Sequence, residues 1–471
     1  MLKPTSLLLA FAVLSGCAVG PNYKQPRQTV AGTFHAAPAM LFSDAAPDAN
    51  WWANFRDPAL DALIVEALKR NHSLRVAQAT LAEARAARRN AVWAFAPSGA
   101  ANASMQRGRP SEAEAVPHSP PLIETWATGF DAAWEIDVFG RTRRRAEAAS
   151  AELVMADATL RDVQVALLGE VAANYFSLRS AEQAIRLVDG QLATLRESHG
   201  LTETRRAAGR GTELDTARTE ALLRETESLK PGLVRTAAEH RHRLAVLVGM
   251  NPGDLQLSAA TVSPIHDHAV RIGQPADLLR RRPDIQRAER ALAAATAHIG
   301  VSTAAFFPEV SVQGFLGFVG LSRGELGDAG SQSWSVAPSI RWRLLDYGRL
   351  HAQLTASRAR TDGALAAYEQ TVLRALEETE NAFVRYGAAV TQTESLLARQ
   401  RAAERARDLA VQQYDAGRAD PLVRLDAQRT ALAAARDVVA AETERNLAIV
   451  AVYQALGGGW TIAPSDSIAA Q

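Results

Sequence analysis

The sequence predicts an α+β protein built from two tandem copies of one unit, each with a helix, two strands and a long helical hairpin. Apolar residues recur in steps of three and four over stretches of roughly 60 residues, which is typical of long packed helices. Before each such stretch lie two segments in which apolar and polar residues alternate, as in strands with two different faces. Gly209 and Gly417 mark matching turns in the two helical stretches.

The pattern divides the chain of 471 residues into six segments. The predicted segments are a signal peptide (1–16), an N-terminal arm (17–58), the first repeat (59–253), a linker (254–274), the second repeat (275–457) and a tail (458–471).

The first repeat begins with a predicted helix from Ala59 to about Phe95, which Pro97 ends. Two strands follow, and the predicted hairpin consists of a long helix and a return helix. The predicted bounds are Ser98–Arg107 and Thr125–Asp137 for the strands, and Arg141–Thr204 and Leu214–Val248 for the helices.

The second repeat follows the same order. Its predicted helix begins at Leu278 and ends at Phe306–Pro308, and its strands lie around Val310–Phe318 and Trp334–Leu344. The hairpin turns near Gly417, and Gly457 ends its return helix.

The N-terminus is typical of an exported lipoprotein. Lys3 precedes the apolar run Leu7–Val13, and small residues precede Cys17, the only cysteine of the chain. An ordinary signal peptide with a chance cysteine is the alternative. The resemblance to bacterial lipoproteins implies lipidation of Cys17, and Ala18 suggests sorting to the outer membrane. No later segment is long and apolar enough for a transmembrane helix, so only strands would span a membrane.

Composition argues against several other functions. The net charge is +1, so nothing indicates a nucleic-acid partner. The run Arg141–Arg145 is instead expected to form a basic girdle beneath a membrane sheet. His240 and His242, like His266 and His268, lack a third ligand, so no metal site is expected. No nucleophile, phosphate-binding or metalloprotease motif occurs, so we expect neither an enzyme nor a cofactor beyond the lipid.

The four strands need further copies of the chain. A sheet with one apolar and one polar face is not a soluble core, and outer-membrane barrels have at least about eight strands. Two, three or four copies would supply eight, twelve or sixteen strands.

Six strings of residues resemble a known family. They are GCAVGPNY (16–23), WW (51–52), RRPD (281–284), FFP (306–308), DAQ (426–428) and ALGGGW (455–460). The chain thereby resembles the TolC-like outer-membrane factors, in the NodT-type lipoprotein subgroup. This resemblance implies a homotrimer with a twelve-stranded barrel in the outer membrane and a twelve-helix periplasmic tunnel. It implies passive export of small molecules, with a periplasmic adaptor and an inner-membrane pump of RND or MFS type as partners.

The resemblance also implies a periplasmic gate. Leu422 and Asp426 match the positions that narrow the pore in the family, and they lie one helical turn apart. Three Asp426 carboxylates around an axis would favour cations. The alternative is that Asp426 pairs with Arg424 or Arg429 on a solvated surface.

Links between the two hairpins are expected to keep the gate closed. The matching positions are Asp215 and Tyr414; Ala419 stands where the family usually has a basic residue, which leaves Arg418 or Arg424 as substitutes. Six tip residues match the adaptor-docking positions, with generic turn residues as the alternative. They are Gly209, Arg210, Gly211, Gly417, Arg418 and Ala419.

Three other functions compete with an efflux duct. The chain could be a periplasm-spanning coiled-coil lipoprotein without a pore, the outer channel of a type I protein secretion system, or a hydrolase carried on a barrel. The last would need a nucleophile constellation that the sequence lacks.

Overall fold

The computed structural model describes residues 18–27, 31–109, 111, 113, 122–257 and 269–460. The predictions for the signal peptide, for Cys17, for His266 and His268 and for most of the tail lie outside these residues. The helices are α1 (Pro58–Arg70), α2 (His72–Trp93), α3 (Arg141–Ala207), α4 (Glu213–Leu247), α5 (Pro275–Arg281), α6 (Pro283–Ala304), α7 (Tyr347–Asp415) and α8 (Pro421–Ala455). The strands are β1 (Phe42–Ser43), β2 (Ser98–Gly108), β3 (Ile123–Ile136), β4 (Val270–Arg271), β5 (Glu309–Gly320) and β6 (Gln332–Arg341).

The prediction of one continuous helix at the start of each repeat was wrong. In the first repeat Asn71 has extended backbone angles, with φ −61° and ψ 129°, and it separates α1 from α2. Its side-chain oxygen accepts a hydrogen bond from the backbone N–H of Leu74, as a helix cap does. In the second repeat Arg282 takes the same role between α5 and α6, because Pro283 disfavours helical angles in the preceding residue.

Each break is fastened to the end of a hairpin. The Asn71 amide donates to the carbonyl of Leu247 at 2.9 Å, and the Arg282 guanidinium donates to the carbonyl of Ala455 at 3.0 Å. Both carbonyls belong to last turns of return helices, where such groups lack helical partners. Gly249 and Gly457 follow with positive φ, and a Cβ on either would lie within 3 Å of a carbonyl oxygen of the facing break. The motifs RRPD and ALGGGW therefore form one junction.

The long helices agree with the periodicity. α3 has 67 residues and α7 has 69, so each extends for roughly 100 Å at 1.5 Å per residue. The return helices α4 and α8 have 35 residues each.

The chain divides into two compact units, and the first contains the sheet. This unit comprises residues up to Arg27, Thr80–Asp157 and Arg287–Glu369. Its sheet is antiparallel, in the order β2–β3–β5–β6. Trp334 and Ile340 on β6 are 73% and 74% exposed, so an apolar face lies open.

The part of the N-terminal arm up to Arg27 belongs to this first unit and is held within it. Gly20 has a φ of +89°, and a Cβ there would lie 2.5 Å from the Cα of Gly300. The buried Arg144 donates to the carbonyl oxygens of Val19 and Gly20 and to the side chain of Asn22. These contacts give structural roles to Gly20 and Asn22, two residues of the string GCAVGPNY.

The second unit contains the largest hydrophobic core. It comprises Gln28–Ala79, Ala158–Gln286 and Gln370–Gln471. Trp51 is 1% exposed and stacks on Tyr453, with ring centroids 5.2 Å apart. The Tyr175 hydroxyl donates to Asp57 at 2.5 Å within this core. The predicted WW string thus belongs to the packing of the second unit.

No helix among the described residues is sufficiently long and apolar to cross a membrane.

Candidate gate at the hairpin tips

The turns of the two hairpins have the same backbone geometry. Gly209 and Gly417 both have a φ of +70°. The N–H of the residue after each glycine donates to a carbonyl five residues earlier, from Arg210 to Arg205 and from Arg418 to Gln413, both at 2.8 Å. This is the Schellman arrangement that ends helices with a left-handed glycine.

The return helices begin with different caps. In the first hairpin the Thr212 hydroxyl accepts from the N–H of Asp215, and the Asp215 carboxylate accepts from the Thr212 N–H at 3.1 Å. In the second hairpin the Asp420 side chain accepts from the N–H of Leu422 at 2.8 Å, and Pro421 fills the first helical position. Both caps fix the start of a helix, but they place different side chains near the tip.

Tyr414 links the two hairpins within one chain. Its ring is 7% exposed and lies between the guanidinium groups of Arg205 on α3 and Arg424 on α8, which are 4.9 and 5.0 Å from the ring centroid. The Tyr414 hydroxyl accepts a hydrogen bond from Nη1 of Arg205 at 2.6 Å. Cation–π attraction and a charge-assisted hydrogen bond therefore hold α7 and α8 to α3.

A second link contacts α3 about two helical turns further from the tip. Nη2 of Arg424 donates to the hydroxyl of Ser198 at 3.2 Å, and Ser198 is 5% exposed. Beside it, inside the first hairpin, the Thr219 hydroxyl contacts the hydroxyl of Thr202 and Nδ1 of His199, both at 3.1 Å. The first hairpin thus has a buried polar seam near its tip.

The structure brings together only part of the predicted closure set. Tyr414 and Arg424 lie in contact with each other and with α3. The expectation that Asp215 faces Tyr414 was wrong for the single chain, because its carboxylate is held by Thr212, whose hydroxyl and N–H lower the pKa of Asp215. Arg418 does not take the place of the basic residue that the family usually has at position 419, because its side chain is exposed at the turn.

Sequence analysis missed Arg205 and Ser198. Arg205 precedes Gly209 by one helical turn, so a search for basic residues one turn before the first tip would have found it together with Arg206. Ser198 gave no signal, because a serine in a long helix is ordinary.

Leu422 and Asp426 lie on an exposed face of α8. Leu422 is 48% exposed, and the Asp426 side chain is 63% exposed and paired with Arg429 at 3.0 Å. The predicted alternative for Asp426 therefore describes the single chain, although an exposed pair of this kind contributes little energy. The two residues border a groove of about 590 Å³ on the second hairpin, whose other walls are mainly alanine.

The six tip residues lie at the surface. Gly209, Arg210, Gly417 and Arg418 are exposed, whereas Gly211 and Ala419 are half-buried. A Cβ on Gly211 would lie 3.2 Å from the backbone nitrogen of Arg206, so this glycine also serves the turn itself.

The other predicted sites have structural partners. Arg141 pairs with Glu135 and Glu309 at the base of β3 and β5. Nδ1 of His240 donates to Oδ1 of Asn174 at 3.0 Å, and burial lowers the pKa of His240. Within the described part of the chain, no three His, Cys, Asp or Glu side chains are arranged to hold a metal ion.

Comparison with known proteins identifies the family. The model of the outer membrane efflux protein family matches residues 63–250 and again residues 275–458. The outer membrane protein OprJ of Pseudomonas aeruginosa is 30% identical over 98% of this chain and 97% of its own. The solvent efflux pump outer membrane protein SrpC of Pseudomonas putida is 30% identical, over 97% and 98%.

Solved structures agree. The outer-membrane channel OprN is 40% identical, with a TM-score of 0.88 over 94% of this chain and all of that one. The open-state channel MtrE of Neisseria gonorrhoeae is 30% identical, with a TM-score of 0.84 over 94% of this chain and 98% of its own.

The chain therefore belongs to the outer membrane efflux protein family. It is an outer-membrane efflux channel, so the predicted resemblance, function and location are confirmed. The relative SrpC is the outer membrane protein of a solvent efflux pump, and the solved neighbours OprN and MtrE are outer-membrane channels.

Proposed function

We propose that three copies of this chain form one passive duct, with a twelve-stranded barrel above a tunnel of twelve helices. The four-stranded sheet carries this proposal. Among the described residues, β2 and β6 each pair on one side only, and unpaired strand edges in a membrane must be satisfied by other strands. Three protomers supply twelve strands, a number within the range of outer-membrane barrels.

A lipid on Cys17 would anchor the duct beside the barrel. Ala18, the next residue, packs against Gly140, where a Cβ would lie 2.6 Å from the Cα of Ala18. Gly140 follows β3 by four residues. The acyl chains would therefore enter the membrane at the base of the sheet. Replacement of Cys17 by Ala should abolish metabolic labelling with palmitate, and continued labelling would contradict lipidation.

The gate would lie at the periplasmic end, on the second hairpin. Three copies of Leu422 and Asp426 around the axis would form an apolar ring and an acidic ring. The three carboxylates would repel one another, and Arg429, which pairs with Asp426 in the single chain, would offset part of that repulsion. The link from Tyr414 to Arg205 and Arg424 would hold the second hairpin inward, and opening would break it.

The tips would receive the adaptor. Arg210 and Arg418 project from matching turns, so a trimer would present six arginines and would suit an acidic partner tip. The pump would be of RND or MFS type. The energy for transport would come from that pump, because the duct itself has no source of energy.

Single-channel conductance in planar bilayers tests the duct and its gate together. The wild-type chain should give small conductance steps, and the double variant Leu422→Ala with Asp426→Ala should give larger ones. The matched control is Leu214→Ala with Arg218→Ala, at the equivalent positions of the first hairpin, and it should leave the steps unchanged. A protein without steps would be a pore-free scaffold. Equal effects of both double variants would refute a gate on the second hairpin.

A further inference from the structure

The two strand pairs of the repeat, β2–β3 and β5–β6, have equivalent registers. Facing residues of β2 and β3 have numbers that add to 231, as for Ala101 and Phe130, and those of β5 and β6 add to 650. The two copies are offset by 211 residues up to the first strand and by 208 from the second strand onwards. These offsets together account for the difference of 419 between the two sums, so both hairpins have the same register.

Two equivalent hydrogen bonds fix the offsets independently. Nε1 of Trp134 on β3 donates to the carbonyl of Phe95, and Nε1 of Trp342, which follows β6, donates to the carbonyl of Phe306. Both distances are 2.9 Å. The tryptophans differ by 208 positions and the phenylalanines by 211, as the strand registers require.

We infer that this internal repeat sets the register between subunits, in which β6 pairs with β2 of the partner subunit. This rests on the proposed trimer. Within the chain, the numbers of facing residues in β3 and β5 add to 446. If β6 and β2 of the partner subunit pair in the same way, β6 replaces β3 with an offset of 208 and β2 replaces β5 with an offset of 211. The numbers of facing residues across the subunit boundary then add to 443. Ile340 then faces Ala103 of the partner subunit, and Val336 faces Arg107 of the partner subunit.

The equivalent pair within the chain shows how close these residues lie. Ile340 corresponds to Ala132, and the Ala103 position corresponds to Gly314. A Cβ on Gly314 would lie 3.7 Å from the Cβ of Ala132, a separation that a disulfide bridges without strain. The register also places the apolar residues of β6 on the same face as Ala101, Ala103 and Met105, so the face stays continuous.

An unsatisfied acceptor supports this register. Oδ1 of Asn102 is buried and accepts no hydrogen bond from the described residues, while Nδ2 of Asn102 donates to Asp131. The register puts Arg341, whose side chain is exposed, opposite Asn102 of the partner subunit. A guanidinium there would supply the donor that Oδ1 lacks and would lie close to the charge of Asp131 of the partner subunit. A shift by two residues would lose this match.

The corner after β6 is more exposed than its counterpart, although Tyr347 lies edge-on to Phe306 with ring centroids 5.8 Å apart. After β3, Phe139 stacks on Phe307, with centroids 4.8 Å apart. After β6, the equivalent Tyr347 is 65% exposed, and Leu345 is fully exposed. By the same symmetry the partner of Tyr347 is Ala96 of the partner subunit, so a neighbouring copy would cover this corner.

Cysteine cross-linking tests the register. Ile340→Cys with Ala103→Cys, oxidised in detergent with copper phenanthroline, should convert more than half of the protein to covalent trimers on a non-reducing gel. Ile340→Cys with Ala101→Cys, and Ile340→Cys with Met105→Cys, shift the pair by two residues and should give less than a tenth as much. Ala132→Cys with Gly314→Cys is the matched control, because it should form a disulfide within one chain and no covalent trimer.

The outcomes separate the register from the assembly. Stronger cross-linking of a shifted pair would overturn the register. If the first variant does not assemble, Val336→Cys with Arg107→Cys tests the same register. Native mass spectrometry of the unsubstituted protein reports the assembly itself: trimers whose matched pairs stay uncross-linked refute the register alone, whereas monomers refute the proposed trimer as well.

Discussion

The two hairpins share one backbone and differ in chemistry. Their return helices have equal lengths, and their turns have the same φ of +70° at Gly209 and Gly417. The first hairpin is held by buried hydroxyls at its tip, whereas the second offers alanines, an exposed Leu422 and the aromatic ring of Tyr414. The turn is therefore the same in both copies while the side chains differ, which fits the proposal that the second hairpin moves on opening and the first does not. The predictions below test this division, from the largest expected effect to the smallest.

Removal of Tyr414 should have the largest effect. Tyr414→Ala deletes a hydrogen bond to a charged group, which contributes about 1.5–3 kcal/mol, and two cation–π contacts of about 0.5–2 kcal/mol each. The open population in bilayer recordings should rise at least about tenfold, since 1.4 kcal/mol corresponds to a factor of ten.

Two variants control for this change. Tyr414→Phe keeps the ring and should give an intermediate effect. Arg206→Ala, at the equivalent position of the first hairpin, should leave the open population unchanged. If Arg206→Ala opens the channel as far as Tyr414→Ala does, the two hairpins do not differ in the way described.

The polar seam of the first hairpin should matter more for stability than for gating. Thr219→Val leaves Thr202 and His199 without their common partner, and such buried groups cost about 1–3 kcal/mol. Hydrogen exchange in residues 198–220 should accelerate by about tenfold or more. The equivalent change in the second hairpin, Ala427→Val, should alter exchange there only slightly. Unchanged exchange in Thr219→Val would show that the seam contributes no rigidity.

The two turn glycines should respond equally to substitution. Gly209→Ala and Gly417→Ala each force a side chain into a left-handed conformation at a cost of about 1 kcal/mol, and no atom lies within 4 Å of either added Cβ. Thermal unfolding should therefore shift by the same amount in both variants. A difference greater than about 0.5 kcal/mol would mean that one turn carries strain that its geometry does not show.

The smallest effect is a pH dependence confined to the first hairpin. The folded-state pKa of Asp215 is lowered by its hydrogen bonds from Thr212, so its contribution is present above the ordinary value of about 3.9 and lost as the pH falls through the lower one. Hydrogen exchange at the start of α4 should accelerate in that acidic range, after correction for the intrinsic rate. Asp215→Asn should remove this pH dependence, and an identical acid response in that variant would contradict the assignment.

Sequence reasoning predicted the repeated architecture because it rests on local patterns. Helical periodicity, alternation and the turn glycines are set within a few residues of each position. The break at Asn71 was missed because its cause is distant: the Asn71 amide donates to a carbonyl at the end of a helix 176 positions along the chain. The apolar pattern continues through this break and gives no local sign of it. At Arg282 a local sign was present in Pro283, which disfavours helical angles in the residue before it.

The candidate site was predicted less completely than the fold. Tyr414 and Arg424 were found through the family resemblance, but the partner of Tyr414 is Arg205 rather than Asp215. Alignment with the family could not show which of these two residues contacts Tyr414. The Asp215 carboxylate is bound by Thr212 in a local capping box, which the alignment does not reveal. The gate proposed for Leu422 and Asp426 depends on neighbouring copies, which one chain does not contain.

The change of offset from 211 to 208 falls between the two strands of each sheet hairpin. Arg109–Leu122 joins β2 to β3 with 14 residues, and Leu321–Ser331 joins β5 to β6 with 11. From the breaks at Asn71 and Arg282 to the tips, the other parts keep their spacing between the copies, whereas before the breaks α1 has 13 residues and α5 has 7. Within the sheet and the hairpins, a difference in length thus occurs only in the connections between paired strands. These two connections are accordingly places where an epitope or a reporter could be inserted with little disturbance to the sheet and the hairpins.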